Sequence, residues 1–281
     1  MSPKSVPKSK NLIEIKPQRG LQFVDFKEIL KYKEILYFYI IKDIKIRYKQ
    51  TVLGGLWIMI QPLMAMVVFS LFFGKWGKIP SDGVPYPIFC FAALVPWNYF
   101  SKAVSNSATS LVSSSALISK VYFPRVIIPF SPIFAGLIDF VFAFLILFGM
   151  MVFFQVSPTI MIIFIPFLIV LMMAIAGGVG MILSALNAKY RDVAYIMTFL
   201  IQTWMFISPV IYPTSMMPER YHLIYALNPM TGIIEGFRSV LLGTIPFPYH
   251  LLLVSIIVSL ILIVIGTVYF KKMEIYLTDV L

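Results

Sequence analysis

Six stretches of this sequence are long and apolar enough to cross a bilayer: residues 53–74, 86–108, 127–154, 160–187, 194–213 and 249–270. A helix needs about 20 mostly apolar residues to span the hydrocarbon core, and backbone left unpaired in lipid is costly. These runs therefore restrict the chain to an all-α, polytopic membrane protein with six transmembrane helices. Composition agrees: 281 residues, 60% hydrophobic and only 12% charged, with mean hydropathy +0.91. A soluble domain carries about 25% charged residues. The second run is the least clean, because "SKAVSNSATS" dilutes it. Residues 230–243, "MTGIIEGFRSVLLG", are helix-like but too short and too charged to cross.

An even number of spans places both termini on one side. The segments on that side, with Lys102 counted at the end of span 2, hold 19 of the 23 Lys and Arg. The other side holds Lys75, Lys78, Arg220 and Arg238. The positive-inside rule then makes both termini cytoplasmic and the chain a multi-pass protein of the cytoplasmic (inner) membrane. The formal charge of +11 is mostly this topology signal. It does not point to nucleic acid.

Four regions follow: a basic, Pro-rich cytoplasmic tail over 1–20, an amphipathic interface helix over 21–51, a transmembrane domain over 52–270 and a cytoplasmic C-terminal tail over 271–281. The tail lacks the apolar h-region of a cleavable signal peptide. In the interface helix, Phe26, Ile29, Leu30, Leu36, Tyr37, Ile40, Ile41, Ile44 and Tyr48 recur at helical spacing. Lys27, Lys31, Lys42, Lys45, Arg47 and Lys49 form its basic side, and Lys33 intrudes on the apolar stripe. Such a helix lies in the bilayer interface and meets anionic headgroups. Anchoring explains it. So does gating of an amphiphilic substrate arriving from the inner leaflet.

Motifs for catalysis are scarce. Cys90 is the single cysteine, so no internal disulfide forms. No G-x-x-x-x-G-K-[ST] loop occurs, and "FFGKWGK" has neither its spacing nor its Ser/Thr. His222 and His250 are 28 residues apart, and no metal-binding or Ser-His-Asp spacing stands out. Asp139, in "GLIDFVF", is the one clear acid within the spans, a functional candidate by default. With no internal repeat and no second such acid, an energy source inside the chain is not visible. That calls for a partner that supplies it.

The spans do offer groups suited to sugars, whose C–H faces stack on aromatic rings and whose hydroxyls seek polar side chains. Trp57, Gln61, Trp97, Asn98, Tyr99, Ser101, Ser105, Asn106, Gln202, Trp204, Ser208 and Tyr212 are candidates, with Asp139 divided between a structural bond and a role in a pore. Each aromatic alone fits an interface belt equally well. The Ser/Asn run of span 2 is harder to place against lipid.

Five ordered segments carry a resemblance: "DIKIRYKQTVLGGLWIMIQPLMAMVVFSLFFGK", "VPYPIFCFAALVPWNYFSKAV", "SSSALISKVYFPRVIIP", "LSALNAKYRDVAYI" and "ISPVIYPTSMMPERYHLIYALNPMTGIIEGFRSVLLG". They resemble the permease subunits of polysaccharide-exporting ABC transporters of the ABC-2 class, from about residue 35 to 270. Permeases of O-antigen export are most alike; capsule and teichoic-acid permeases share the pattern more loosely. The first 20 residues match nothing in it.

The resemblance implies a non-catalytic half-transporter. Two copies form the pore, and two copies of a cytoplasmic ABC ATPase, which carries the ATP and Mg, drive a lipid-linked polysaccharide outward. It implies a short coupling helix between spans 2 and 3 that docks on the ATPase. The residues concerned are Ser115, Leu117, Lys120, Tyr122, Phe123, Pro124 and Arg125, with Arg191 and Asp192 of the next inner loop as a secondary contact. Without the resemblance, the same residues read as an ordinary interfacial loop. It also implies that a re-entrant helical pair lies between spans 5 and 6, where Asn228, Pro229, Glu235 and Arg238 contribute to an outer gate. The channel set is then Trp57, Gln61, Trp97, Tyr99, Ser101, Ser105, Asn106, Asp139, Trp204 and Tyr212. Two other readings remain. A small-molecule or drug exporter of the same class has less use for aromatics and a basic interface helix. A membrane glycosyl- or acyltransferase needs clustered acids or histidines.

Overall fold

The computed structural model describes residues 30–49, 56–118 and 123–280, all helix, turn or loop with no strand among them. The helices of the described residues include α1 Lys33–Tyr48, α2 Leu56–Phe69, α3 Tyr86–Ser113, α4 Ser115–Ile118, α5 Ile127–Phe153, α6 Ile165–Lys189, α7 Val193–Ile207, α8 His222–Ala226, α9 Pro229–Leu242 and α10 Tyr249–Val280. A π-helical turn, Ser70–Trp76, extends α2, and a 3-10 turn, Ile160–Phe164, leads into α6.

By length and composition, four of the described helices can cross a membrane: Met59–Trp76, Ile127–Phe153, Ile160–Lys189 and Tyr249–Glu274. The second and fifth expected spans differ for physical reasons. Helix α3 is 28 residues long and carries the polar run from Ser101 to Ser113. Helix α7 stops at Ile207, six residues before the expected end at 213, because Pro209 disfavours helical geometry at Ser208. Ser208 is extended, with φ −91° and ψ 152°. At the other end of the chain, α10 runs through Lys271 and Lys272 to Val280, so the expected tail continues the last helix.

Helix α3 is the axis of the bundle. It is buried along most of its length between α5, α6 and α9. The pairing of α6 with α10 is the most extensive among the described helices. A Cβ on Gly178 would lie 2.7 Å from the backbone carbon of Leu262, and one on Gly266 would lie 2.7 Å from the Gly178 carbonyl. Small residues permit such backbone approach between apolar helices, where dispersion supplies most of the attraction. The bundle has an end that carries α4 and an end that carries α9.

Helix α1 leans along α5. Its contacts advance together: Tyr39 meets Phe123, the Asp43 carboxylate accepts from Ser131 at 2.7 Å, and Arg47 donates to Asp139 at 2.8 Å. The basic side expected to face headgroups is thereby divided. Arg47 turns inward to α5, while Lys31, Lys45 and Lys49 are exposed. Lys27 lies outside the described residues.

Candidate functional site

At the α4 end, Ser115–Ile118 is a single helical turn after Ser114, whose carbonyl accepts from the Leu117 and Ile118 amides at 3.0 and 3.2 Å. Ser115 and Leu117 are half-buried. Lys120 and Tyr122 lie outside the described residues. Phe123, expected within the ATPase-docking segment, is only 6% exposed. It sits against Tyr39 with ring centroids 5.7 Å apart, in a cluster with Leu111, Ile127, Met181 and Phe270. Pro124 disfavours helical geometry at Phe123, and the ring packs into the bundle. Arg125 donates to the Glu274 carbonyl at 2.8 Å and ties this loop to α10. Arg191 and Asp192 stand exposed between α6 and α7, with Asp192 at the N-cap of α7.

At the α9 end, all fourteen residues of α9 are buried. Asn228 caps it. The Asn228 side-chain oxygen accepts from the Met230 amide at 3.1 Å and from the Trp204 indole at 2.9 Å, while its nitrogen donates to the Ser208 hydroxyl at 2.9 Å. Pro229 fills the first helical position, where its missing N–H costs nothing. Gly243 closes the helix in the left-handed region at φ 65°.

Glu235 and Arg238, three apart on α9, pair at 3.1 Å with both side chains removed from solvent. Arg238 also donates to the Val210 carbonyl at 2.9 Å and, at 3.4 Å, to the carbonyls of Phe89 and Tyr212. Its guanidinium lies 3.6 Å from the centroid of the Phe89 ring. Tyr86 donates to the Ile211 carbonyl at 2.6 Å, and Glu235 accepts from the Thr214 amide at 3.4 Å. The non-helical segment after α7 thus gains from side chains the partners it cannot make with itself, as buried backbone requires.

The channel candidates separate by exposure. Trp97 and Tyr99 are 2% and 3% exposed. Trp97 packs tilted against Phe100 and edge-on against Trp204, and Tyr99 donates to the Ile133 carbonyl at 2.9 Å, so neighbours within the chain take up their surfaces. Tyr212 donates to the Phe206 carbonyl at 2.9 Å and accepts from the Tyr225 hydroxyl at 3.1 Å. Trp57 and Gln61 on α2 are exposed; Ser101 and Ser105 are half-buried, and Asn106 is exposed.

Asp139 is buried and accepts from Arg47 at 2.8 Å and from the Tyr48 hydroxyl. Sequence reasoning found the acid and missed its partners. The signal was present: Arg47 and Tyr48 end the one basic helix preceding the spans, and a buried carboxylate requires a donor. Lys102 shares a small cavity with Asp139, lined also by Asn98, Tyr99 and Gly136.

The ABC-2 type transporter family matches residues 36–242. Two O-antigen export system permease proteins RfbA are similar. The one from Myxococcus xanthus is 28% identical over 217 residues, 76% of this chain and 82% of that protein. One from Klebsiella pneumoniae is 28% identical over 248 residues, 85% and 92% of the two chains. The polysialic acid transport protein KpsM of Escherichia coli is 20% identical over 207 residues, 71% of this chain and 78% of that one.

Proposed function

The chain belongs to the ABC-2 type transporter family, and from that membership we propose that it is the membrane permease of an ATP-driven exporter that carries a lipid-linked, O-antigen-like polysaccharide outward across the cytoplasmic membrane. The observation that carries the substrate class is similarity to O-antigen export permeases over 85% of the chain. Two copies form the pore, and two copies of a separate ABC ATPase supply the energy. Similarity to a polysialic acid transport protein over 71% of the chain favours, as the second reading, a capsule-type polymer on the same machinery.

The geometry suits this work. Six crossings are reached by adding α3 and the short α7 to the four long apolar helices, with both termini in the cytoplasm. Helix α9, too short to cross, is the inserted arm of a re-entrant pair that begins with α8. Its cap at Asn228 and the Arg238 contacts join it to the end of α7, so α7 and α9 move as one block on the outer side. The exposed inner surface around α4, Arg191 and Asp192 takes the ATPase, and α2 with Trp57 and Gln61 faces the polymer or the second copy.

The test is co-expression with an ABC ATPase subunit from the same organism, purification of the assembly and identification of the glycan retained. A complex of two permeases and two ATPases bearing a lipid-linked polysaccharide is expected. A chain that binds nucleotide by itself, or a complex that retains a small molecule, overturns the proposal.

A further inference from the structure

A groove of about 400 Å³ runs between α6 and α7. Val104 of α3 forms its floor, Val179 and Leu183 of α6 one wall, and α7 from Met197 to Ile207 the other. No charged side chain lines it. Its lining is apolar except for the Thr203 hydroxyl and the Trp204 indole, and the indole is spent on Asn228, to which it donates at 2.9 Å.

Helix α7 has little else to lean on. Of its fifteen residues only Met197 and Ile201 are buried. At one end a turn of three residues, 190–192, ties it to α6. Towards the other end Trp204 packs edge-on against Phe100, with ring centroids 5.0 Å apart, and bonds to Asn228. Between these ties α6 does not reach across to α7. It is pressed against α10 instead, where Gly178 meets Leu262.

Water gains no partners in an apolar cavity and stays out of it. Val179 and Leu183 lie within the membrane-crossing helix Ile160–Lys189, where hydrocarbon is the solvent. The shape decides between hydrocarbon and protein. From Met197 to Ile207 a helix rises about 15 Å, so the groove averages roughly 30 Å² in section. A helix about 10 Å across needs roughly 80 Å², and it would have to part α6 from α7 beside their three-residue turn. A single hydrocarbon chain is thin enough and bends to fit. We infer that the groove holds one acyl chain of a resident membrane phospholipid, which packs α7 against α6 and reaches Trp204. The lipid thereby supports the indole whose bond to Asn228 joins α7 to α9. The inference rests on the membrane setting of the family and is independent of the cargo exported.

The full chain is assembled with its ATPase in nanodiscs of phosphatidylcholine brominated along one acyl chain, which quenches tryptophan on contact. The exposed Trp57 and Trp76 are replaced by Phe, while Trp97, 2% exposed, remains as a shielded reference. Val179→Phe and Leu200→Phe then fill the groove from opposite walls in that background. Trp204 emission is expected to be quenched, and each filled variant to lower the quenching by about twofold or more, because the added ring takes the volume of the chain. Native mass spectrometry of the detergent-purified assembly is expected to show a phospholipid retained on each parent permease and lost from both filled variants. Melting separates filling from misfolding: delipidated, each filled variant is expected to melt at or above the parent. Lower melting in both means that the groove has no room for a ring and overturns the site, as does quenching equal to the parent. Cross-linking of Val179→Cys between two copies in a Cys90→Ala background assigns the groove to the second copy. Retention of an isoprenyl lipid in place of phospholipid assigns it to the cargo. Either result overturns the phospholipid assignment and leaves the export reading intact.

Discussion

Arg47, at the end of the helix that precedes the first span, donates to Asp139, 92 positions away in the middle of α5, at 2.8 Å. Tyr48 donates to the other carboxylate oxygen. Together they fasten α1 to the bundle at the far end of a contact line that begins with Tyr39 on Phe123.

Asp139→Asn and Arg47→Gln should each destabilise the chain by about 1–3 kcal/mol, the cost of leaving a desolvated group without its charged partner. The Arg47 side chain is 24% exposed, so water recovers part of that loss. The double variant should cost less than the sum of the two singles, since both remove one interaction. Thermal unfolding of the four proteins in one detergent measures this. Strict additivity would show that the pair contributes no coupling.

Phe123 separates folding from docking. Phe123→Ala removes a buried ring from a packed cluster and should cost about 3–5 kcal/mol, read as a lower melting temperature before any ATPase is present. Arg191→Glu changes an exposed residue and should leave stability within about 0.5 kcal/mol. It should weaken retention of the ATPase on purification. A Phe123→Ala protein that melts normally and loses only the ATPase would return Phe123 to the docking contact.

What the sequence made legible follows from the range of the forces involved. Apolar runs are local, so the helices over 127–153 and 249–270 lie where hydropathy put them. Residues Glu235 and Arg238, three apart on one helix, could be paired by spacing alone. The Phe123 contact with Tyr39 and the Asp139 contact with Arg47 join distant segments, and no local periodicity encodes them. The same applies to Trp97 and Tyr99: an aromatic in a span reads alike whether it faces a channel, lipid or another helix. Burial between α3 and its neighbours decided that, and composition could not.

Asn228→Ala should loosen the α9 end. It removes the cap of α9, worth about 0.5–2 kcal/mol, leaves the Trp204 indole without its acceptor and takes away the amide that donates to Ser208, whose hydroxyl keeps its bond to the Trp204 carbonyl. Asn228→Asp keeps both acceptor functions and should recover most of the stability. It loses only the bond in which the Asn228 amide donates to Ser208. Trp204 fluorescence should shift in the Ala variant and stay close to the parent in the Asp variant. Equal shifts in both would remove Asn228 as the link between α7 and α9.

The buried pair on α9 should respond unequally to the loss of each member. Glu235 accepts from the Arg238 guanidinium and from the Thr214 amide. Arg238 has more to lose: three carbonyls from two segments, the Phe89 ring and the carboxylate. Arg238→Ala therefore orphans a buried carboxylate and three buried carbonyls together. Breaking a buried pair from one side costs about 3–5 kcal/mol, and the freed carbonyls add to it, so little folded protein is expected. Glu235→Gln leaves an acceptor for Arg238 and Thr214 and keeps every carbonyl bond, so a folded protein with a modestly lower melting temperature is expected. Yield and melting of the two variants decide the matter. If Glu235→Gln proved as damaging as Arg238→Ala, the carboxylate charge would be the essential element, and the carbonyl contacts of Arg238 would be secondary.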